Sequence, residues 1–103
     1  EEWVALDLSG TKLVTKLEFS SYPGWNDRAP AQVTAFAGSS MNGPWTQVDQ
    51  WDSADGKSGA VVHDFNSSFQ TPYLKLRFNG NHGDGTHIEI YEMSVYGASC
   101  TGG

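Results

Sequence analysis

Two short stretches carry most of the side chains that could do chemistry. The first, Tyr22-Pro23-Gly24-Trp25-Asn26-Asp27-Arg28, sets an indole and a guanidinium beside an amide and a carboxylate. Pro23 and Gly24 break the preceding run, and Trp25 to Arg28 are too polar for a core segment. Such a surface suits a polar ring or a carboxylate, with the aromatic face as platform and Arg28 as hydrogen-bonding fork. The second, Asn79-Gly80-Asn81-His82-Gly83-Asp84-Gly85, spaces two amides, an imidazole and a carboxylate with three glycines. It holds more polar functionality than a bare turn requires. An alternative stays open for every one of these residues: Trp25 folds over the rim of the domain, Arg28 pairs with Asp27 or Asp84, and the second stretch uses Asn and Gly for positive φ.

Catalytic patterns are missing. His63, His82 and His87 do not form a His-x-x-x-His helix motif, and neither a Gly-x-Ser-x-Gly elbow nor a phosphate-cradling Gly-Lys-Thr loop occurs. Glu18, Glu89 and Glu92 are the carboxylates a glycosidase would need, but a chain of 103 residues offers no deep cleft for them. Enzymatic activity is not expected.

The elements that must position the two stretches read as strands. Trp3 to Leu8 alternates, with Val4, Leu6 and Leu8 on one face, and Ser9-Gly10-Thr11 marks a turn. Lys12 to Ser20 comes next, with Leu13, Thr15, Leu17 and Phe19 on the expected inner face. Beyond Pro30, Val33, Ala35 and Ala37 oppose Gln32, Thr34 and Phe36; Asn42-Gly43 then marks a hairpin into a strand from Trp45 to Trp51. Ala60 to Phe65 is a short strand with Val61, His63 and Phe65 on one side. Leu74, Leu76 and Phe78 form the strongest inward face of the chain. In the last element Ile88 and Ile90 differ in parity from Met93 and Val95, which predicts a bulge near Tyr91-Glu92. The count is about seven strands. Trp3, Trp45 and Trp51 belong to core or sheet-face packing.

Composition agrees with an all-β domain: twelve glycines, four Trp, four Tyr and five Phe accompany sparse long aliphatics. At 38% hydrophobic residues the chain builds one modest core. The formal charge of −6, with six scattered basic residues, disfavours nucleic acid and anionic lipid as partners. No apolar run approaches a membrane span. Asn66-Ser67-Ser68 fits an N-glycosylation acceptor, a triplet that also arises often by chance. Cys100 lies in the tail 98–103, and its pairing is open from the sequence itself.

The order of several soft motifs resembles the discoidin domain (factor V/VIII type C) and carbohydrate-binding module family 32. They are Trp3-Val-Ala-Leu-Asp7-Leu8, Arg28-Ala-Pro, Gly38-Ser39-Ser40, Asn42-Gly43, Trp45-Thr46, Tyr73-Leu-Lys-Leu-Arg-Phe78 and Ile90-Tyr-Glu92-Met-Ser-Val-Tyr-Gly97. Met41-Asn42-Gly43-Pro44 departs from the usual turn. The resemblance covers nearly the whole chain and implies an antiparallel β-sandwich of jelly-roll, galactose-binding-like type over residues 1–97. It also implies a secreted, non-catalytic recognition module that binds a glycan or glycoprotein. Carried over residue by residue, the rim loops offer Tyr22, Trp25, Asn26 and Arg28, with Asn79, Asn81, His82 and Asp84. Glu92 occupies the place of a ligand to a structural calcium, and Cys100 that of a disulfide half whose mate lies upstream of Glu1. The family's domain begins two strands and a loop before the Trp3 strand. The rival expectation is therefore a structural or adhesion module that binds protein, a fragment completed by another polypeptide.

Overall fold

The computed structural model describes residues 2–20, 30–53, 61–81 and 92–99. These form five strands: β1 (Glu2–Ser20), β2 (Pro30–Gly38), β3 (Trp45–Asp52), β4 (Val61–Asn81) and β5 (Glu92–Ser99). All are antiparallel in one sheet of order β3-β2-β4-β1-β5.

The sheet curls into two layers because its two longest strands bend. β1 and β4 pair first over Glu2–Asp7 with Tyr73–Phe78 and again from Lys12 with Thr71. Between these stretches β1 carries residues 8–11 against Pro72 alone. Ser9 and Gly10 take up the excess at φ 60° and 110°, and the Asp7 carboxylate accepts the Ser9 N–H at 2.9 Å. β2 pairs only with the later half of β4, and β5 only with the later half of β1. One layer is thus β3, β2, the second half of β4 and the first half of β1; the other is the first half of β4, the second half of β1 and β5. The expected turn at Ser9-Gly10-Thr11 is a bend within β1, and the two expected strands around residues 60–78 are the two arms of β4. Five strands therefore stand among the described residues where sequence patterning suggests about seven.

The core lies between the layers: Val14, Leu17, Phe19, Val33, Ala35, Val61, Phe65, Leu74, Leu76 and Phe78 are all buried. Leu74, Leu76 and Phe78 face inward as their alternation predicts, as do Val61 and Phe65. The inner face of the second arm of β1 needs correction. Val14 is buried and Thr15 exposed, because a register shift between Val14 and Lys16 lets Thr15 bulge from the ladder. A bulge reverses the alternation, so Val14 joins Leu17 and Phe19 inside. Glu92 pairs in register with Ser20, and Tyr91 lies outside the described residues.

Two contacts pin the corners. Thr71, at the bend of β4, is 2% exposed; its hydroxyl receives the Gly38 N–H at 3.1 Å and lies 3.0 Å from the Gly38 carbonyl and 2.8 Å from that of Tyr73. The side chain thereby ties the end of β2 to the corner. Gly97 of β5 crosses β1 so closely that a Cβ there would overlap the Leu13 carbonyl. On the outer face the Tyr96 hydroxyl donates to Glu18 Oε1 at 2.6 Å. That hydrogen bond, with the negative charge of Glu18, holds the phenol above its ordinary ionisation value.

These contacts set three expected outcomes. Thr71→Val leaves the Gly38 peptide groups without their buried partner and is expected to cost about 1–3 kcal/mol in urea unfolding. Gly97→Ala forces backbone against backbone and is expected to cost about 3 kcal/mol or more, read as loss of folded protein at ambient temperature. In an ultraviolet titration, Tyr96 ionises above the usual tyrosine value of about 10. Its contribution to β1–β5 pairing is present below the unfolded value and is lost as pH rises through the raised folded value; Glu18→Gln moves the ionisation back down.

Candidate binding site

The described stretches of chain end at Ser20, Ser53 and Asn81, and resume at Pro30, Val61 and Glu92. The register gathers these six residues into two groups. Ser20 pairs with Glu92, and Phe19 with Val61, so one exit and two entries are neighbours on the second layer. Pro30 pairs with Asn81, and the Ser53 N–H donates to the Ala31 carbonyl at 2.7 Å, so the other two exits and one entry are neighbours on the first layer. Segments 21–29, 54–60 and 82–91 therefore run between the same two anchor groups.

Of the expected ligand-binding residues, Tyr22, Trp25, Asn26, Arg28, His82 and Asp84 lie outside the described residues, as does Cys100. Asn79 and Asn81 belong to β4 itself, since the strand runs three residues further than the sequence pattern suggests. Gly80, at φ 66°, allows this extension. Asn79 is half-buried, and its amide donates to Gln32 Oε1 at 3.2 Å across the β2–β4 pair. It stiffens the base of the second segment. Asn81 is the last paired residue before that segment, and Glu92 the first after it.

Directly beneath the anchors lies a cluster that sequence reasoning did not assemble. The Trp51 and His63 rings stack at 3.6 Å with 3° between planes, although β3 and β4 are not hydrogen-bonded neighbours. His63 Nε2 meets Asp49 Oδ2 at 2.8 Å, with side chains 18% and 11% exposed. Phe65 closes the cluster edge-on at 5.7 Å from Trp51 and 5.2 Å from His63. The contact joins the free side of the first layer to the second, two residues from Ser53 and two from Val61, and so steadies both ends of segment 54–60. Inward parity of His63 was legible in the sequence; its meeting with Trp51 required the curl of the sheet.

Among the described residues no group of three or more His, Cys, Asp or Glu side chains could hold a metal. No described helix is long and apolar enough to cross a membrane. Glu92 is the first residue of β5 and pairs with Ser20.

No protein-family profile matches the chain, and no curated protein sequence does. Solved structures do. A fragment of a Bacteroides thetaiotaomicron protein assigned as a chitobiase superposes with a TM-score of 0.77 at 12% identity, covering 98% of this chain and 63% of that one. The C-terminal domain of a chitobiase from Bacteroides fragilis gives 0.77 at 20% identity, with 96% and 64% covered. CpGH89CBM32-6 from Clostridium perfringens gives 0.66 at 16% identity, with 93% and 68% covered. The chain thus has the β-sandwich fold of these structures, and spans under two thirds of the two chitobiase-type ones.

The cluster has a measurable consequence. His63→Ala removes the stacking surface of Trp51 and leaves the half-buried Asp49 carboxylate with fewer donors. The expected loss is about 1–3 kcal/mol in urea unfolding, with a shift in tryptophan emission.

Proposed function

We propose that this chain is a non-catalytic carbohydrate-binding module that takes its ligand at the pole spanned by segments 21–29 and 82–91. The observation that carries this reading is the shared anchoring: Pro30 against Asn81 and Ser20 against Glu92 bound both segments at both ends. Stacked layers are separated by about 10 Å, whereas nine or ten residues reach roughly 30 Å when extended. Each segment therefore has chain to spare for presenting side chains. Trp25 supplies the platform for the C–H face of a sugar ring, with Tyr22 beside it. Arg28, Asn26, Asn81 and His82 hydrogen-bond the hydroxyls, and Asp84 accepts from them. Asn79 holds the base of the site through Gln32. The resemblance of the motifs to discoidin and family 32 domains, and the names of the structural neighbours, support the same reading and a secreted setting.

A glycan array followed by sugar titration tests it. Trp25→Ala and Arg28→Ala are each expected to weaken binding by tenfold or more without moving the melting temperature. A folded protein that answers no glycan would overturn the proposal. For Glu92, a structural calcium predicts a melting temperature that rises with calcium, falls with EDTA and is insensitive to both in Glu92→Gln.

One observation favours a second reading, a module completed by another polypeptide. Among the described residues, the first arm of β1 pairs on one side only, with β4, and its Val4, Leu6 and Leu8 remain half-buried. A cleft of about 240 Å³ lined by Leu8, Leu13, Val14 and Val95 opens between the layers on that side. A strand added along β1 would cover both. This reading predicts a stable complex that survives purification and is lost when Leu6 is replaced by Lys.

A further inference from the structure

The outer face of the first layer holds a surface the rim reading does not use. Sheet faces turned to solvent are ordinarily polar, but here four strands bring aromatic rings and cations to one place. Register sets Trp3 of β1 opposite Arg77 of β4, and Lys75 of β4 opposite Phe36 of β2. Trp45 of β3 lies over Gly38, where a Cβ would come within 2.6 Å of its ring. Glycine at that position lets the indole lie flat against the sheet. Lys75 Nζ sits 4.0 Å from the Trp3 ring centre and 5.4 Å from that of Trp45. The Arg77 guanidinium is 5.4 Å from Trp3 and 5.7 Å from Phe36, and Trp3 and Phe36 are 5.6 Å apart. Trp3 is 45% exposed, the most exposed of the large rings described in this face.

We infer that this face is a second binding site, specific for a saccharide bearing a single carboxylate or sulfate. The exposed indole of Trp3 offers a flat apolar surface that matches the C–H face of a pyranose. Beside it the Lys75 ammonium is held in position by two rings. A ring face satisfies a cation less fully than an oxyanion does, so the ammonium keeps donors for an acidic group on the stacked sugar. Arg77, two residues along the same strand, adds a second positive charge on the same side of Trp3. These are two of only six basic residues in a chain of net charge −6. Local attraction therefore works against overall repulsion, which favours a short, singly charged glycan over a long polyanion. Among the described outward-facing residues on the first arm of β1, the acidic one is Asp7, four residues from Trp3 and about 13 Å along the strand.

The probes are galacturonic acid and its neutral methyl ester, then 6-sulfated galactose and galactose, titrated calorimetrically at low and moderate salt. The expected result is tighter binding of the acidic member of at least one pair, by tenfold or more, weakening as salt rises. Trp3→Ala is expected to abolish it and Trp3→Phe to preserve part of it, which separates loss of stacking from loss of fold. Lys75→Gln is expected to equalise acid and ester while retaining the neutral affinity. Trp25→Ala, at the rim, leaves this discrimination unchanged, so failure of the rim reading and failure of this one are distinguishable. Equal binding of acid and neutral forms by the native protein, discrimination that survives Lys75→Gln, or equal competition by hexaglutamate would overturn the inference.

Discussion

The antiparallel pairing of β1 with β4 is the contact on which the rest of the structure depends. Every other strand is attached to one of these two or to a strand that is, and β2 and β5 each hold one arm only, so the bend near residues 8–11 and 72 decides which side chains face each other. A flat sheet of the same order would leave Leu17 and Phe19 far from Val33 and Leu76. The bend turns one sheet into two layers with a shared interior, and it does so with few special residues: Ser9 and Gly10 at positive φ on one strand, Pro72 and the buried Thr71 hydroxyl on the other.

Curling also determines how the two sides of the sandwich are treated. On one side β3 meets the first arm of β4 through the Trp51–His63 stack and the Asp49 carboxylate, a polar and aromatic seam in place of backbone hydrogen bonds. On the other, the first arm of β1 and the edge of β5 are not joined by any described pairing. Among the described residues the layers are therefore joined by side chains on one side, with no strand pairing on the other.

The pole owes its coherence to register. Segments 21–29, 54–60 and 82–91 are remote in sequence, yet the bounds of each are paired with the bounds of another or with the residue next to them. Antiparallel geometry is the cause. When two long strands bend together, the connections that leave one layer and enter the other at the same end start and finish side by side. The outer face owes its character to a different rule, that alternate residues of neighbouring strands stand in rows. Trp3, Lys75, Phe36 and Trp45 are scattered over the chain and meet because the register places them in neighbouring rows of one face.

What the sequence by itself determined was the local pattern: strands at the right places, an inward face at Leu74–Phe78, a shared side for Val61, His63 and Phe65, a hairpin at Asn42-Gly43, and the absence of catalytic motifs. Those depend on alternation and turn chemistry, which act over a few residues. The bulge at Thr15 escaped it, because a single residue extruded from a ladder leaves no mark in composition and reverses every face beyond it. So did the joining of two pairs of apparent strands into β1 and β4, since a bend and a turn look alike in a run such as Ser9-Gly10-Thr11. The Trp51–His63–Asp49 seam, the cluster of rings on the outer face and the common anchoring of the three segments were decided only by tertiary structure. Each joins residues through the strand order β3-β2-β4-β1-β5, and that order is set by which long-range pairings bury the most apolar surface, a competition no short stretch of chain can record.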